Sequence, residues 1–184
     1  MSDLPFSILL IDDSPSDLML IQRAFKNCGI VEGIYTLSNG FEAIRYLMGE
    51  GVYSDRIKYP YPSLIISDLK MSNGDGLSIL EHLKRNPAWA IIPTIIFSGS
   101  GDNDDIRSSY MMGAASYIQK PNDFEKMRSI IKTIADYWKN CSLPDVDKSG
   151  KQIRTDTEGK IGERFPQPFQ IDQSRIEIKT VIGG

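Results

Sequence analysis

Residues 8–15 read ILLIDDSP, and the interpretation of the whole chain starts from this stretch. Four aliphatic residues in a row are typical of a strand that is buried on both faces. Two adjacent carboxylates, those of Asp12 and Asp13, follow at once. Two carboxylates about 4 Å apart repel each other by roughly 4 kcal/mol at an effective dielectric of 20. We therefore expect something beside the end of this strand that offsets the repulsion.

Strand-length apolar runs alternate with helical patterns as far as residue 140. The predicted strands are residues 7–12, 33–37, 64–67, 94–97 and 116–119. Ser14 and Pro15 are typical of the start of the first helix, and Asn122 is predicted to open the fifth. Strict alternation of strand and helix implies a parallel sheet with helices on both faces. The predicted fold class is α/β, a doubly wound five-stranded parallel sheet, whose ligands bind at the carboxyl ends of the strands.

Composition places the chain among ordinary globular proteins. Of its 184 residues 41% are hydrophobic and 24% charged, and the net charge of -3 argues against nucleic-acid binding. Cys28 and Cys141 form no metal-binding motif, and the single histidine, His82, is expected at the surface of the third helix. No apolar run is long enough to cross a membrane, and the acidic N-terminus does not resemble a signal peptide. We therefore expect a cytoplasmic protein.

The pattern of strands and helices stops near Asn140, which divides the chain into two predicted regions. Residues 1–140 form the domain, and residues 141–184 are a linker and C-terminal tail. Within the tail only residues 174–182, SRIEIKTVI, alternate as a short strand would. An isolated strand is not stable alone, so it would dock onto an edge or a partner. These 44 residues contain no unit that reads DNA.

Polar side chains end three further strands of the predicted sheet. Asp68 follows the third strand, Ser98 the fourth and Lys120 the fifth. Together with Asp12 and Asp13 they would meet at one edge of the sheet. Three carboxylates in one pocket are tolerable when a hard divalent cation lies among them, and magnesium is the natural candidate. Such a site suits a phosphoryl group carried on a carboxylate, with the ammonium and the cation stabilising its charge.

The ordered set of strand-end residues is similar to that of a known family. Residues 5–140 resemble the flavodoxin-like, (βα)5 receiver domain of two-component response regulators. The resemblance rests on residues that each stand after the proper strand: Asp12, Asp13, Asp68, Ser98, Lys120 and Pro121. A single strand-end Asp or Lys is usually a helix cap or a solvated group. The full set in order favours the functional interpretation.

The resemblance implies a phosphoacceptor and a magnesium site. Asp68 would accept the phosphoryl group from a phosphohistidine of a sensor histidine kinase. Asp13 would bind magnesium directly and Asp12 mainly through water, and the backbone carbonyl of Lys70 would complete the protein ligands. A protein of this kind is a switch and not a turnover enzyme, because it catalyses only its own phosphorylation and slow autodephosphorylation.

The resemblance also implies how the signal leaves the site. Lys120 would pair with the phosphoryl group, and the hydroxyl of Ser98 would turn toward it. Tyr117 occupies the aromatic switch position and would swing inward when Ser98 moves. The output surface would then be the fourth helix, fifth strand and fifth helix, acting through protein contacts without a DNA-binding domain.

Two segments depart from the commonest receiver pattern. The loop at residues 70–74, KMSNG, lacks a proline that many family members have. Residues 49–62, GEGVYSDRIKYPYP, form a long link before the third strand. This link is similar to that of single-domain regulators that partner bacterial phytochromes, which implies a phytochrome-like kinase. A homodimer formed through the fifth helix or the tail is a further expectation.

A magnesium-dependent phosphohydrolase acting through an aspartyl phosphate is the alternative. Enzymes of the haloacid dehalogenase type also use a strand-end aspartate, but they need a second acid two residues later. Here that position is Lys70, and no cap domain is present to enclose a substrate. The sequence therefore favours the receiver interpretation.

Overall fold

The computed structural model describes residues 6–30, 32–86, 89–143 and 146. Within them, five strands alternate with five α-helices. The elements are β1 (Ile8–Ile11), α1 (Pro15–Asn27), β2 (Ile34–Leu37), α2 (Gly40–Met48), β3 (Leu64–Ser67), α3 (Gly76–Arg85), β4 (Thr94–Ser98), α4 (Asn103–Met111), β5 (Ser116–Gln119) and α5 (Phe124–Asn140). A short 3-10 helix, Gly51–Ser54, lies between α2 and β3. No helix among the described residues is long and apolar enough to cross a membrane.

All five strands are parallel, in the order β2-β1-β3-β4-β5. Ile8 pairs with Ile34 of β2 on one side and with Leu64 of β3 on the other. The chain therefore winds outward from β1 to β2 and then crosses back to β3, so the direction of winding reverses between β1 and β3. Ligand sites of doubly wound sheets lie at this reversal. The predicted fold class is confirmed.

Helices cover both faces of the sheet, and successive residues of β1 show this. Leu10 packs with Phe25 of α1 and Ile131 of α5 on one face. Leu9 packs with Tyr46 of α2 and Ile79 of α3 on the other. Alternate residues of a strand point to opposite faces, so a strand covered on both sides is apolar without a break. This double burial explains the continuous run ILLI.

The helix starts follow local capping chemistry. The hydroxyl of Ser14 accepts a hydrogen bond from the amide of Asp17, and Pro15 is the first residue of α1, as predicted. The fifth helix differs from the prediction. It is capped by the carboxylate of Asp123, which accepts from the amide of Lys126 at 2.8 Å, and not by Asn122. A carboxylate at this position also interacts favourably with the helix dipole.

Aromatic packing orders the long link before β3. The guanidinium of Arg56 lies 4.0 Å from the ring centroid of Tyr61 and donates to the carbonyl of Leu47 at 2.8 Å. Tyr53 and Tyr59 pack edge to face, with centroids 5.1 Å apart. Cation–π contact and edge-to-face rings stabilise such an arrangement. This part of the link is therefore held against α2.

His82 is not the surface residue that the sequence suggested. Its ring stacks on Trp89, with centroids 5.4 Å apart, and its Nε2 is buried without a hydrogen-bond partner among the described residues. Trp89 belongs to the apolar core on the α2–α3 face. The imidazole therefore extends this core at the end of α3.

The C-terminal region is described only in part. Helix α5 ends at Asn140, and Val146 packs against the core on the α2–α3 face. By contacts the chain divides into Met1–Ile153 and Arg154–Gly184. All described residues belong to the first unit, and the candidate strand at residues 174–182 lies outside them. The domain boundary near residue 140 stays a prediction.

Candidate functional site

Three carboxylates meet where β1 and β3 end. One oxygen each from Asp12, Asp13 and Asp68 lies within 4.8 Å of the others. Asp12 is almost fully buried, Asp68 is partly buried and Asp13 is exposed. Strands β1 and β3 are neighbours in register, with Ile11 opposite Ser67, so their next residues are brought together. The sheet topology thus produces the cluster expected from the sequence.

Backbone amides fix the orientation of each carboxylate. Asp12 Oδ1 accepts from the amide of Ser14 at 2.9 Å, and Asp68 Oδ1 accepts from that of Leu69 at 2.7 Å. Asp13 Oδ2 accepts from the amide of Ser72, 59 residues further along the chain, at 2.8 Å. Hydrogen bonds to ionised carboxylates are short and strong. They hold part of each carboxylate in place and leave the second oxygens of Asp12 and Asp68 for other contacts.

The loop that carries Ser72 is anchored on the start of α2. The amide of Gly40 donates to the carbonyls of Asn73 at 3.0 Å and Gly74 at 3.1 Å. A Cβ at residue 40 would lie 2.4 Å from the carbonyl oxygen of Gly74, so the two backbones could not approach this closely with any larger residue. Gly74 itself has φ of 77°, which favours glycine. The two glycines therefore set the conformation of the loop without the usual proline.

Lys120 is surrounded by carboxylates. Its Nζ lies 2.6 Å from Asp12 Oδ2, 2.8 Å from Asp17 Oδ2 and 3.2 Å from Asp68 Oδ2. The lysine follows β5, and its amide donates to the carbonyl of Ser98 at 2.8 Å. Its side chain is 11% exposed. The sequence prediction of Lys120 beside the acids agrees with this placement, and Asp17 is an additional partner.

The electrostatics of the site are dominated by negative charge. Burial raises the pKa of Asp12, and the hydrogen bond from Lys120 only partly opposes this effect. Burial lowers the pKa of Lys120, but its hydrogen bonds to Asp12 and Asp17 outweigh burial and raise the pKa above its ordinary value. The ammonium is therefore charged at neutral pH. One ammonium beside four carboxylates leaves an excess of negative charge that favours a further cation.

The donor set fits a hard divalent cation. Three carboxylate oxygens are the ligands that such cations prefer, and no softer donor takes part in the cluster. The side chain of Lys70 is directed elsewhere, because its Nζ lies 2.6 Å from Asp105 Oδ2. The expected ligation by the backbone carbonyl of Lys70 stays a prediction.

Ser98 and Tyr117 are linked through Ser100 in the loop after β4. Ser98 is buried, and its hydroxyl accepts from the amide of Ser100 at 3.4 Å. The hydroxyl of Tyr117 donates to the carbonyl of Ser100 at 2.9 Å. The hydroxyl of Ser100 in turn donates to Asp105 at 2.5 Å. A displacement of Ser98 would therefore act on Tyr117 and on α4 through the same loop.

Sequence reasoning missed two residues of this arrangement. Asp17 lies in the first turn of α1, where an acid is common for its interaction with the helix dipole, and so gave no separate signal. Asp105 likewise lies in the first turn of α4, but it also pairs with Lys70 and Ser100. The ion pairs of Asp17 with Lys120 and of Asp105 with Lys70 join distant parts of the chain. Nothing in the spacing of the sequence indicates them.

Fold and site together define a receiver domain: a five-stranded parallel sheet in the order β2-β1-β3-β4-β5, with an acidic cluster and a lysine at its carboxyl edge. Residues 8–132 match the family model of the response regulator receiver domain. The chain belongs to this family, as the sequence resemblance predicted.

Named relatives agree with the assignment. Response regulator Rcp1 of Synechocystis is 30% identical over 144 residues, which cover 78% of this chain and 96% of Rcp1. The probable methanogenesis regulatory protein FilR2 of Methanothrix harundinacea is 33% identical over 135 residues, 73% of this chain and 84% of FilR2. Response regulators with receiver domains generally act as switches, and this chain has the same domain.

Solved structures show the same fold. The phosphorylated cyanobacterial phytochrome response regulator RcpA matches with a TM-score of 0.72 and 32% identity, over 77% of this chain and all of RcpA. The Mn(2+)-bound form of Rcp1 matches with a TM-score of 0.70 and 30% identity, again over 77% of this chain and all of Rcp1. The similarity to phytochrome-associated regulators expected from the sequence is therefore confirmed.

Proposed function

We propose that this chain is a phosphoacceptor response regulator of a two-component pathway, phosphorylated on Asp68 by a partner histidine kinase. The observation that carries the proposal is the contact of Lys120 Nζ with Asp68 Oδ2 at 3.2 Å, inside a cluster that also contains Asp12 and Asp13. A carboxylate beside a fixed ammonium is suited to receive a group that brings negative charge.

The chemistry is a displacement at phosphorus. A carboxylate oxygen of Asp68 forms a bond to the phosphorus of a phosphohistidine, and the P–N bond breaks with its electron pair passing to the imidazole nitrogen. The product is an acyl phosphate on Asp68. The amide of Leu69 holds Asp68 Oδ1, and Lys120 supplies a positive charge to the incoming phosphoryl oxygens. Positioning and charge stabilisation account for most of the catalysis of such a transfer.

We further propose that the cation of this site is magnesium. Asp12, Asp13 and Asp68, with the backbone carbonyl of Lys70, would hold it. When bound, the cation supplies charge neutralisation among the carboxylates and polarises a phosphoryl oxygen. The acidic donor set supports this, and so does the relative Rcp1, whose structure is described as Mn(2+)-bound.

Phosphorylation would change the surface through Ser98 and Tyr117. The hydroxyl of Ser98 would turn toward the phosphoryl oxygens, and its contact with the amide of Ser100 would be lost. The loop that also accepts from Tyr117 would then move, and α4, β5 and α5 would present a changed face. A switch of this kind biases two arrangements that already exist. We propose that the output passes through protein contacts of this face and does not involve DNA binding.

We propose a phytochrome-like histidine kinase as the partner, because the solved structure of the relative RcpA is described as that of a phytochrome response regulator. In the same proposal residues 1–140 are the receiver, residues 141–184 are a linker and tail, and a homodimer forms through α5 or the tail. The cytoplasmic location stays a prediction. Light scattering with and without phosphorylation tests the dimer, and an unchanged mass would contradict it.

Labelling with acetyl phosphate and magnesium tests the central proposal. The wild-type protein should gain one phosphoryl group, and Asp68→Ala should gain none. Asp136→Asn, which removes an exposed acid on α5, is the matched control and should be labelled as the wild type is. Labelling of Asp68→Ala would refute the acceptor assignment. Multiple turnover of small phosphate esters would favour the phosphohydrolase alternative.

A further inference from the structure

Asp17 is the feature of the site that the proposed chemistry does not use. Its carboxylate lies 2.8 Å from Lys120 Nζ, closer than that of Asp68 at 3.2 Å. It does not belong to the three carboxylates whose oxygens converge for a cation. Its side chain is 32% exposed, so this charge is only partly solvated. Asp17 is therefore an acidic partner of the lysine and not a candidate ligand.

The position of Asp17 is fixed by the start of α1. Pro15 opens the helix, and the amide of Asp17 donates to the hydroxyl of the capping residue Ser14 at 3.3 Å. Ser14 in turn donates its amide to Asp12. The first turn of α1 and the acidic cluster are thus one hydrogen-bonded unit, so the carboxylate of Asp17 is held beside Lys120.

The contact between Asp17 and Lys120 should lower the affinity of the site for an anion and raise its affinity for a cation. An incoming phosphoryl group needs the ammonium of Lys120 and is repelled by a carboxylate next to it. A cation bound by the neighbouring carboxylates gains from the same extra negative charge. A residue that merely stabilised the fold would move both affinities together. If removal of the charge of Asp17 changes the two affinities in opposite directions, the role of Asp17 is electrostatic and not merely structural.

We propose that Asp17 is a positioning residue that competes with the phosphoryl group for Lys120 and so restrains phosphorylation of Asp68. This proposal rests on the proposed function of the site. In the unphosphorylated protein Asp17 and Asp12 hold the ammonium. On phosphorylation the ammonium must give up part of these contacts to reach the phosphoryl oxygens. Removing the charge of Asp17 frees Lys120 for that step.

The test compares Asp17→Asn with the wild type. At saturating magnesium, the affinity for beryllofluoride, an anionic phosphoryl mimic, and the rate of labelling by acetyl phosphate should each rise by about three- to tenfold, the effect of one nearby charge. Without phosphoryl donor, the affinity for Mg²⁺ should fall by about two- to fivefold. Fluorine NMR measures the affinity for beryllofluoride, and calorimetry measures the affinity for Mg²⁺. Labelling by acetyl phosphate gives the rate of phosphorylation.

Two further variants complete the design. Asp17→Glu keeps the charge and should restore both affinities toward the wild type. Asp136→Asn, which makes the same change in net charge on the exposed side of α5, should leave all three measurements unchanged. Thermal unfolding of each variant confirms that the fold is retained.

The outcomes separate the two proposals. If the wild type is labelled on Asp68 and Asp17→Asn shows the predicted opposite shifts, both stand. If the wild type is labelled but Asp17→Asn behaves as the wild type does, or loses Mg²⁺ binding altogether, the role of Asp17 is overturned and the proposed function stands. If the wild type takes no phosphoryl group on Asp68, the proposed function itself fails.

Discussion

Lys120 lies closer to Asp12 than to Asp68: its Nζ is 2.6 Å from Asp12 Oδ2 and 3.2 Å from Asp68 Oδ2. Asp12 is almost fully buried, whereas the side chain of Asp68 is 13% exposed. The ammonium therefore mainly stabilises the carboxylate of Asp12, which is the less hydrated of the two. The proposed acceptor has the weakest contact with the lysine, which leaves Asp68 available for an incoming group.

Replacing Lys120 with methionine should destabilise the protein in metal-free buffer. The buried carboxylate of Asp12 would lose its cationic partner, and breaking a buried pair in this way costs about 3 kcal/mol or more. Added Mg²⁺ should restore part of the loss, because it supplies positive charge to the same carboxylates. Chemical denaturation with and without Mg²⁺ measures both effects.

Lys132→Met is the matched control for Lys120→Met. Lys132 forms an exposed ion pair with Asp136 on α5, and exposed pairs contribute little to stability. Its loss should not change the unfolding midpoint, with or without Mg²⁺. If Lys120→Met were as stable as this control in metal-free buffer, the lysine would not stabilise the acidic cluster.

Substitution of Gly40 by alanine should disturb the acidic site from a distance. The new Cβ would meet the carbonyl oxygen of Gly74 at 2.4 Å, and overpacking of this kind costs about 1–3 kcal/mol. The loop that brings the amide of Ser72 to Asp13 would shift, so Mg²⁺ affinity should fall together with stability. Gly99→Ala is the stability control, because a Cβ there meets nothing within 4 Å. Equal stability of the two variants would contradict the close approach.

Tyr117→Phe should separate phosphorylation from its structural consequence. The hydroxyl lost in this variant donates to the carbonyl of Ser100, a contact whose net value is about 1 kcal/mol. Labelling of Asp68 should proceed as in the wild type, while amide hydrogen exchange in the loop after β4 should become faster. The exposed Tyr137→Phe should alter neither measurement. Unchanged exchange in Tyr117→Phe would argue against the coupling through Ser100.

His82 should make stability depend on pH. Burial, and secondly the charge of Arg85, lower the pKa of His82 below its ordinary value of 6.5. The unfolded chain therefore binds a proton as the pH falls below about 6.5, before the folded protein does, and stability decreases in that range. His82→Phe keeps a ring against Trp89 and cannot be protonated, so its stability should fall less between pH 7 and pH 5. Parallel denaturation curves at several pH values provide the measurement, and identical pH profiles would contradict the prediction.

The sequence alone determined the fold and the composition of the site. Residues 8–11 are apolar without a break because both faces of β1 are covered, and that physical requirement is visible in the sequence. Parallel strands place their carboxyl ends at one edge, so Asp12, Asp68 and Lys120 could be predicted to lie together. The start of the fifth helix was misplaced by one residue, because Asn122 and Asp123 are both good caps.

Only the tertiary structure decided which charges face each other. Lys120 contacts Asp17 across 103 residues of sequence, and Lys70 in the loop after β3 pairs with Asp105 of α4. His82 stacks on Trp89, although its neighbours in α3 are typical of a surface helix. Such contacts depend on the angles and distances at which whole elements pack. Periodicity and spacing in a sequence describe one helix or strand at a time. They therefore predict which residues lie at the site but not which side chains contact each other there.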